Sequence, residues 1–234
     1  MKEKAIIDII IPAHNEEKSI GKVLQDIPRE LVRNIIVVCN CCTDNTFSEV
    51  EKNGGIALIE NRKGYGWACL TGMEYMTVDP PEIVVFLDGD YSDFPQEIPL
   101  VIEPILSQEM DLVIGSRVLG EREKGSLTPQ QVFGNWLATK LIRFFYNGAK
   151  FTDLGPFRAI KYDALQKIKM ADKTYGWTIE MQIKIVKHKL KFCEVPVSYK
   201  KRIGVSKVSG TIKGSVMAGI KILFAVFKYK FSQK

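Results

Sequence analysis

The sequence predicts an α/β protein in which helices flank a mainly parallel central sheet. Short runs of apolar, often β-branched residues alternate in the first half of the chain with segments whose apolar residues recur at helical spacing. Strands and helices that alternate at such short intervals form right-handed crossovers, which leave neighbouring strands parallel. With 234 residues, of which 46% are hydrophobic, the chain is long enough to bury a substantial core.

Four strands are predicted in the first half, at residues 4–11, 34–38, 55–59 and 83–87. The nearly continuous isoleucines of the first strand indicate that both faces of the sheet are covered. After it, Ile20, Val23, Leu24 and Ile27 fall on one face of a helix, and Asn15 is its expected N-cap. Further helices are predicted after residues 43–46 and over about residues 67–75.

The fourth strand ends at two carboxylates separated by one glycine, Asp88-Gly89-Asp90. Ligands bind at the carboxyl ends of strands in α/β sheets, so these carboxylates are expected to face a ligand. Two acidic side chains repel each other unless a cation lies between them, and Mg²⁺ or Mn²⁺ holding a diphosphate suits this geometry. Gly89 is expected to leave room for a ligand against the backbone. A simple Asp-Gly turn is the alternative interpretation.

Three segments of the first half resemble the nucleotide-binding half of family 2 glycosyltransferases, which have the GT-A fold. They are residues 9–17, which end in Pro-Ala-His-Asn-Glu-Glu, residues 37–46, and Asp88-Gly89-Asp90. The resemblance implies a nucleotide-diphospho-sugar donor and a metal held by Asp88 and Asp90. We predict that the donor contacts in this half are Pro12, Ala13, Asn15, Glu16, Asn40, Lys63, Asp88 and Gly89. The amide of Asn40 offers both donors and acceptors to the edge of a base.

One of these segments departs from the family pattern. Where the family usually has Asp-x-Gly-Ser, this chain has Cys39-Asn40-Cys41-Cys42. The five cysteines fit neither a disulfide framework nor a four-ligand zinc site, so we interpret them as small residues that fill a tight loop. No secretion signal is recognised before the first strand, and a cytoplasmic protein is therefore expected.

The second half resembles the polyprenyl-phosphate branch of the same family. The matching segments are residues 111–117, 151–159, 175–182 and 194–207. We predict acceptor contacts from Arg117, Arg122 and Arg158, and donor diphosphate contacts from Arg202, Ser206 and Lys207. If the acceptor is a hydroxyl rather than a phosphate, a carboxylate must take its proton, and Asp153 and Glu180 are the candidate catalytic bases.

Two features in the middle of the chain allow two interpretations each, and a third is predicted to be mobile. Asp93 either completes the metal shell or caps a helix over about residues 96–106. Residues 118–131 are predicted to form a mobile loop that covers the site. The aromatic-rich helix predicted over residues 133–146 either packs into the core or lies in a membrane interface, where aromatic residues, lysine and arginine are favoured.

Positive charge is concentrated at the C-terminal end. The chain has a net charge of +6, and residues 182–234 contain 13 Lys and Arg residues but one acid, Glu194. In residues 212–231, Lys213, Lys221 and Lys228 lie among apolar residues. These charges interrupt the apolar sequence too often for a bilayer span. An amphipathic helix on an anionic leaflet is therefore predicted, with docking on the protein's own surface as the alternative.

The resemblance, together with these observations, implies an inverting, metal-dependent glycosyltransferase that moves a sugar from a UDP- or GDP-sugar to a polyprenyl phosphate. Residues 1–211 would form the catalytic domain, with a nucleotide half over 1–116 and an acceptor half over 117–211, and residues 212–234 the peripheral membrane segment. A soluble enzyme with a hydroxyl acceptor, a nucleotidyltransferase and a non-catalytic nucleotide-sugar binder are the alternatives. A nucleotidyltransferase would have a glycine-rich loop after the first strand, which residues 12–17 lack. No nucleic-acid partner is expected, and the oligomeric state is left open.

Overall fold

A seven-stranded sheet organises the computed structural model, which describes residues 4–204 and 226–230. Its strands are β1 (Ile7–Ala13), β2 (Asn34–Asn40), β3 (Ile56–Glu60), β4 (Ile83–Phe86), β5 (Leu112–Ser116), β6 (Arg158–Lys161) and β7 (Phe192–Pro196). Their order is β3-β2-β1-β4-β6-β5-β7, and β6 alone among them runs antiparallel to its neighbours. The predicted mainly parallel α/β sheet is confirmed, and β6 and β7 show that both halves of the chain contribute to it.

Seven α-helices within residues 4–204 cover the two faces of this sheet. They are α1 (Ile20–Asp26), α2 (Thr46–Lys52), α3 (Tyr65–Tyr75), α4 (Ile98–Gln108), α5 (Pro129–Phe145), α6 (Tyr162–Ile168) and α7 (Trp177–Lys187). All seven residues of β1 are buried, as its run of isoleucines predicts. Ile10 packs in the cluster beneath α3, α5, α6 and α7, whereas Ile9 and Ile11 pack beneath α1, α2 and α4. Because side chains alternate along a strand, one apolar run supplies both cores.

Helix α5 begins earlier than predicted and has two unlike faces. Thr128 forms a capping box with Gln131, so the preceding loop is shorter than the 118–131 predicted. One face of the helix packs in the core through Ala138, Thr139 and Ile142. The opposite face leaves Phe133, Trp136 and Phe144 exposed. The structure therefore places this helix on the core without covering its aromatic outer face.

Two predicted helix caps are wrong. Helix α1 begins after Ser19, and Asn15 instead has a φ of +56° in the loop before it. Asp93 does not cap a helix either, because Phe94 precedes the 3-10 turn Pro95–Glu97 that leads into α4. In both cases the chain makes a longer loop after its strand than the sequence pattern indicates, and that loop faces the candidate site.

Most of the predicted C-terminal helix, together with Ser206, Lys207, Lys213 and Lys221, lies outside the described residues. Residues 226–230 are helical and pack on α5 and α7. Within them Val226 and Tyr229 are buried, and Val226 O accepts a 2.7 Å hydrogen bond from Tyr146 Oη. This turn docks on the protein itself, which is the alternative considered for the segment. No helix in the described parts of the chain has the length and apolar character needed to cross a bilayer.

Candidate active site

An open cavity of about 220 Å³ lies at the carboxyl edge of three adjacent strands, β1, β2 and β4. Because these strands are parallel neighbours, the loops that follow them meet at this edge. The cavity is lined by Pro12, Ala13, His14, Glu16, Asn40, Lys63, Gly64, Tyr65, Ala68, Asp88, Gly89, Asp90, Tyr175 and Arg202. The fold therefore brings together most of the predicted donor contacts that lie within the described residues.

Three carboxylates, Asp88, Asp90 and Asp93, follow β4 within six residues of chain, and the pKa values of Asp88 and Asp93 are raised. Burial, followed by Asp90 and Asp93, raises the pKa of Asp88 well above its usual range. Burial and the nearby Asp90 raise the pKa of Asp93 to about 7. Asp93 Oδ1 is buried and has no hydrogen-bond partner within the described structure. This loop therefore concentrates negative charge that a bound cation would relieve.

The donor set suits a metal that is shared with a substrate rather than one enclosed by protein. The described residues contain no group of three or more His, Cys, Asp and Glu side chains that could hold a metal ion. Asp88 and Asp90 both line the cavity, and Asp88 Oδ1 accepts a 3.3 Å hydrogen bond from the Tyr65 hydroxyl. Mg²⁺ commonly takes one or two protein carboxylates and completes its shell with phosphate oxygens and water. The residues present fit Mg²⁺ or Mn²⁺ held in this way.

Arg202 joins two of the loops across the cavity. Its Nη1 lies 3.1 Å from Asp90 Oδ2, and its Nη2 lies 3.2 Å from Glu16 Oε1. The backbone of its segment is attached to the same loop, because Ile203 N–H donates to Asp90 O at 2.9 Å. The other Asp90 oxygen, Oδ1, accepts hydrogen bonds from the backbone and hydroxyl of Ser92. Arg202 is thus a cation in the cavity, as predicted, and it pairs with a predicted metal ligand.

Two asparagines predicted to contact the donor instead hold the cavity wall together. Asn40 Nδ2 donates to Glu60 O at 3.1 Å and Arg62 O at 2.8 Å, while its Oδ1 accepts from Gly64 N. Both N–H groups of this amide are therefore used within the protein and are not available to a base edge, whereas the contact of Asn40, which lines the cavity, with the nucleotide donor stays a prediction. The side chain of Asn15 joins the β1 and β2 loops, since its Oδ1 accepts from Thr43 N at 2.8 Å. Asn15 itself does not line the cavity.

Five residues that line the cavity were not predicted, namely His14, Gly64, Tyr65, Ala68 and Tyr175. Tyr175 reaches the cavity because residues 172–175 pack directly on the start of α3. A Cβ on Gly66 would overlap Asp172 O, and Trp67 N–H donates to Lys173 O at 3.3 Å. The glycines around Tyr65 signal a close backbone approach in the sequence, but they do not reveal which segment approaches.

Arg117 and Asp153 form a bidentate ion pair outside the cavity lining. Arg117 Nε lies 2.8 Å from Asp153 Oδ2, and Nη2 lies 2.6 Å from Oδ1. Burial alone would raise the pKa of Asp153, but Arg117 holds it below the usual range. A carboxylate with a lowered pKa and both oxygens paired is a poor proton acceptor. In this arrangement Asp153 serves Arg117 and not an acceptor hydroxyl.

The predicted roles of two further site residues are wrong, because their side chains point into the core. Glu180 is fully buried, accepts hydrogen bonds from Ala171 N and Asp172 N, and pairs with Lys184 at 2.7 Å. Arg158 is also fully buried, where it donates to backbone carbonyl oxygens and burial lowers its pKa to about 10. Neither can contact an acceptor as placed. Arg122 is exposed, and its acceptor contact stays a prediction.

Comparisons with known proteins agree with this fold. The model of glycosyl transferase family 2 matches residues 8–169. The UDP-N-acetylglucosamine--dolichyl-phosphate N-acetylglucosaminyltransferase of Methanococcus voltae is 31% identical over 251 residues, which cover 97% of each chain. An uncharacterized protein of Methanocaldococcus jannaschii is 31% identical over 229 residues, covering 96% of this chain and 92% of that protein.

Among solved structures, glucosyl-3-phosphoglycerate synthase of Mycobacterium tuberculosis has a similar fold. Its complex with Mn²⁺, UDP-glucose and phosphoglyceric acid superposes with a TM-score of 0.78. The sequences are 20% identical, and the match covers 98% of this chain and 81% of that one. At this identity the similarity confirms the predicted fold.

Proposed function

The chain belongs to glycosyl transferase family 2, and we propose that it is an inverting enzyme that transfers a sugar from a UDP-sugar to a polyprenyl phosphate. The observation that carries the proposal is the cavity at the ends of β1, β2 and β4, where Asp88 and Asp90 face Arg202. The relative from Methanococcus voltae, which aligns over 97% of both chains, is named for this kind of donor and acceptor.

The charged residues of the cavity have different roles in binding a nucleoside diphosphate. Asp88 and Asp90 would hold Mg²⁺ or Mn²⁺, which when bound neutralises charge on the leaving diphosphate. Arg202 supplies a guanidinium for charge-assisted hydrogen bonds to phosphate oxygens. Lys63 is exposed at the rim of the same cavity and adds a second cation. Glu16 positions Arg202 through their 3.2 Å contact.

A phosphate acceptor agrees with the state of the two candidate bases. A phosphate oxygen is already ionised at neutral pH, so it can attack the anomeric carbon without losing a proton, while the bond from that carbon to the diphosphate breaks. A hydroxyl acceptor would need a base. Asp153 is paired with Arg117 and Glu180 is buried against backbone N–H groups. This favours the phosphate over the hydroxyl acceptor.

The experiment is an acceptor and donor panel with the full-length protein and Mn²⁺. UDP-glucose, UDP-N-acetylglucosamine and GDP-mannose, each labelled in the sugar, are incubated with a short polyprenyl phosphate or with 3-phosphoglycerate. The proposal predicts label in the organic phase with a UDP-sugar and the lipid phosphate. Label that stays in water-soluble product, or transfer only from GDP-mannose, would contradict it.

We further propose that the enzyme contacts an anionic membrane through the outer face of α5. Phe133, Trp136 and Phe144 are 61%, 53% and 80% exposed, and the exposed Lys140 and Arg143 lie on the same helix. Aromatic rings and long cationic side chains are favoured at the membrane interface. The expected cytoplasmic location stays a prediction.

Co-sedimentation with anionic vesicles tests this contact. Binding should weaken as salt rises. It should also weaken in a Phe133→Ser/Phe144→Ser variant, whereas Val78→Ser, which changes a residue 91% exposed elsewhere, should bind like the parent protein. A variant that lacks the residues after position 211 tests separately whether the C-terminal segment contributes to vesicle binding. No binding at low salt would contradict the membrane contact.

A further inference from the structure

Tyr65 enters the cavity from the beginning of α3, where it stands between two glycines. Its hydroxyl donates a 3.3 Å hydrogen bond to Oδ1 of Asp88, one of the two carboxylates assigned to the metal ion. We propose that Tyr65 is a positioning residue, whose hydroxyl holds one oxygen of the Asp88 carboxylate and leaves the other, Oδ2, for the metal. This role rests on the proposed function, because it concerns the metal that binds with the donor.

The Asp88 carboxylate depends on this contact for its orientation. Within the described residues, the Tyr65 hydroxyl is the only hydrogen-bond donor to either of the Asp88 carboxylate oxygens. Asp90, by contrast, is held by Ser92 at Oδ1 and by Arg202 at Oδ2. A carboxylate that binds a metal ion is usually oriented by hydrogen bonds from neighbouring groups. Tyr65 therefore has the same relation to Asp88 that Ser92 has to Asp90.

The backbone on both sides of Tyr65 is fixed by residues 172–173. A Cβ on Gly64 and a Cβ on Gly66 would each overlap a backbone carbonyl oxygen of that segment. Gly64 also has a φ of +152°, which side chains other than that of glycine rarely allow. The two glycines thus permit a close backbone contact on either side of the tyrosine. Because this contact holds the backbone, the Tyr65 side chain meets Asp88 from a fixed position.

Tyr65→Phe separates the hydroxyl from the ring. The phenyl ring keeps the packing of Tyr65 against the core cluster beneath α3, so the fold should persist. The Asp88 carboxylate, however, loses the donor that orients it. Mn²⁺ must then order this side chain when it binds, which costs conformational entropy. The variant should therefore bind Mn²⁺ roughly two- to tenfold more weakly, a range that corresponds to the net contribution of one hydrogen bond.

Titration with Mn²⁺, followed by electron paramagnetic resonance, measures this effect without any turnover. The full-length parent protein and Tyr65→Phe are titrated with Mn²⁺ alone and again at saturating UDP, and the variant should bind Mn²⁺ more weakly in both series. Tyr75→Phe, which removes an exposed hydroxyl at the other end of α3, is the matched control and should bind like the parent protein. Unchanged Mn²⁺ affinity in Tyr65→Phe would overturn the proposal. Tighter binding would also overturn it, because the hydroxyl would then compete with the metal for Asp88.

Titration with UDP separates a positioning role from a direct contact between Tyr65 and the donor. A residue that acts through Asp88 affects UDP binding only when the metal is present. Tyr65→Phe should therefore bind UDP more weakly than the parent protein in Mn²⁺ but equally well in EDTA. An equal loss of UDP affinity under both conditions would show that the hydroxyl contacts the nucleotide itself, and it would overturn the positioning role. The circular dichroism spectrum and the unfolding midpoint check that the variant is folded.

Failure of the proposed function would give a different result from failure of the Tyr65 role. A parent protein that binds Mn²⁺ but no UDP would contradict the proposed donor class, and the titration with Mn²⁺ alone would still decide the role of Tyr65. A parent protein that binds Mn²⁺ neither alone nor with UDP would remove the metal from Asp88 and Asp90, and it would overturn the role of Tyr65 as well.

Discussion

Arg202 Nη1 lies 3.1 Å from Asp90 Oδ2, so a guanidinium neutralises a carboxylate that is assigned to a metal ion. The other Asp90 oxygen accepts hydrogen bonds from Ser92. A cation that binds Asp90 through Oδ2 must therefore compete with Arg202. The guanidinium released by that competition would be free to contact the diphosphate that arrives with the metal. Arg202 thus links metal binding to donor binding.

Replacing Arg202 should change the affinity for Mn²⁺ and the affinity for UDP in opposite directions. In Arg202→Ala, Mn²⁺ alone should bind more tightly, because its competitor for Asp90 is gone. UDP in the presence of Mn²⁺ should bind more weakly by about 1.5–3 kcal/mol, the worth of a hydrogen bond to a charged group. Calorimetric titrations with each ligand measure both effects, and Lys201→Ala, which changes an exposed neighbouring cation, is the control. Two affinities that fall together would contradict this linkage.

Asp90→Asn should abolish most of the activity and leave the fold intact. The amide keeps an oxygen for Ser92 but loses the negative charge that a divalent ion requires, so turnover should fall by roughly a hundredfold or more. The circular dichroism spectrum and the unfolding midpoint check the fold. Glu103→Gln, on the exposed face of α4, should behave like the parent protein. Near-normal activity that resists EDTA would remove Asp90 from the metal site.

The Arg117–Asp153 pair should act as a structural unit. Arg117→Leu leaves a buried carboxylate without its counter-charge and should cost about 3–5 kcal/mol of unfolding free energy. The double variant Arg117→Leu/Asp153→Leu should lose less than Arg117→Leu, because no buried charge remains unpaired. Urea unfolding measures both, and Lys191→Leu in an exposed pair should cost no more than about 1 kcal/mol. A double variant whose loss equals the sum of the single losses would show that the pair is not coupled.

Glu60 should make stability depend on acid pH. The Arg62 side chain and then Thr71 outweigh burial and lower the pKa of Glu60 from 4.5 to about 2. The unfolded chain therefore takes up this proton first, so the contribution is complete above about pH 4.5 and is lost as the pH falls toward 2. Glu60→Gln should be less stable than the parent protein at pH 7, with a difference that shrinks over that range. Urea midpoints across pH test this, with exposed Glu51→Gln as control, and a constant difference would contradict it.

The sequence was sufficient to locate the site but not to orient its side chains. The isoleucines of β1 and the carboxylates after β4 identify strands and their carboxyl ends, because strand burial and chain direction follow from local pattern. The capping box of Thr128 and Gln131 begins α5 within the segment that we predicted to be a loop. By contrast, Glu180 has a motif position that suggests catalysis, yet it points inward to satisfy two backbone N–H groups.

The features that the sequence pattern could not predict depend on tertiary contacts. Tyr175 enters the cavity because residues 172–175 pack against Gly66, a contact between segments about a hundred residues apart. The antiparallel β6 inserts between β4 and β5, although it follows them in the chain. Motif spacing predicts where the backbone passes, whereas pairing of this kind depends on the whole fold.

The most direct test of the central claim compares two lipids that differ only in a phosphate. The protein, Mn²⁺ and a UDP-sugar labelled in the sugar are incubated with a polyprenyl phosphate or with the matching polyprenol. The proposed reaction predicts that label enters the lipid only when the phosphate is present, that EDTA stops it, and that mild acid releases the sugar from the product. Transfer to the polyprenol, or to neither lipid while a water-soluble acceptor is glycosylated, would contradict a polyprenyl phosphate acceptor.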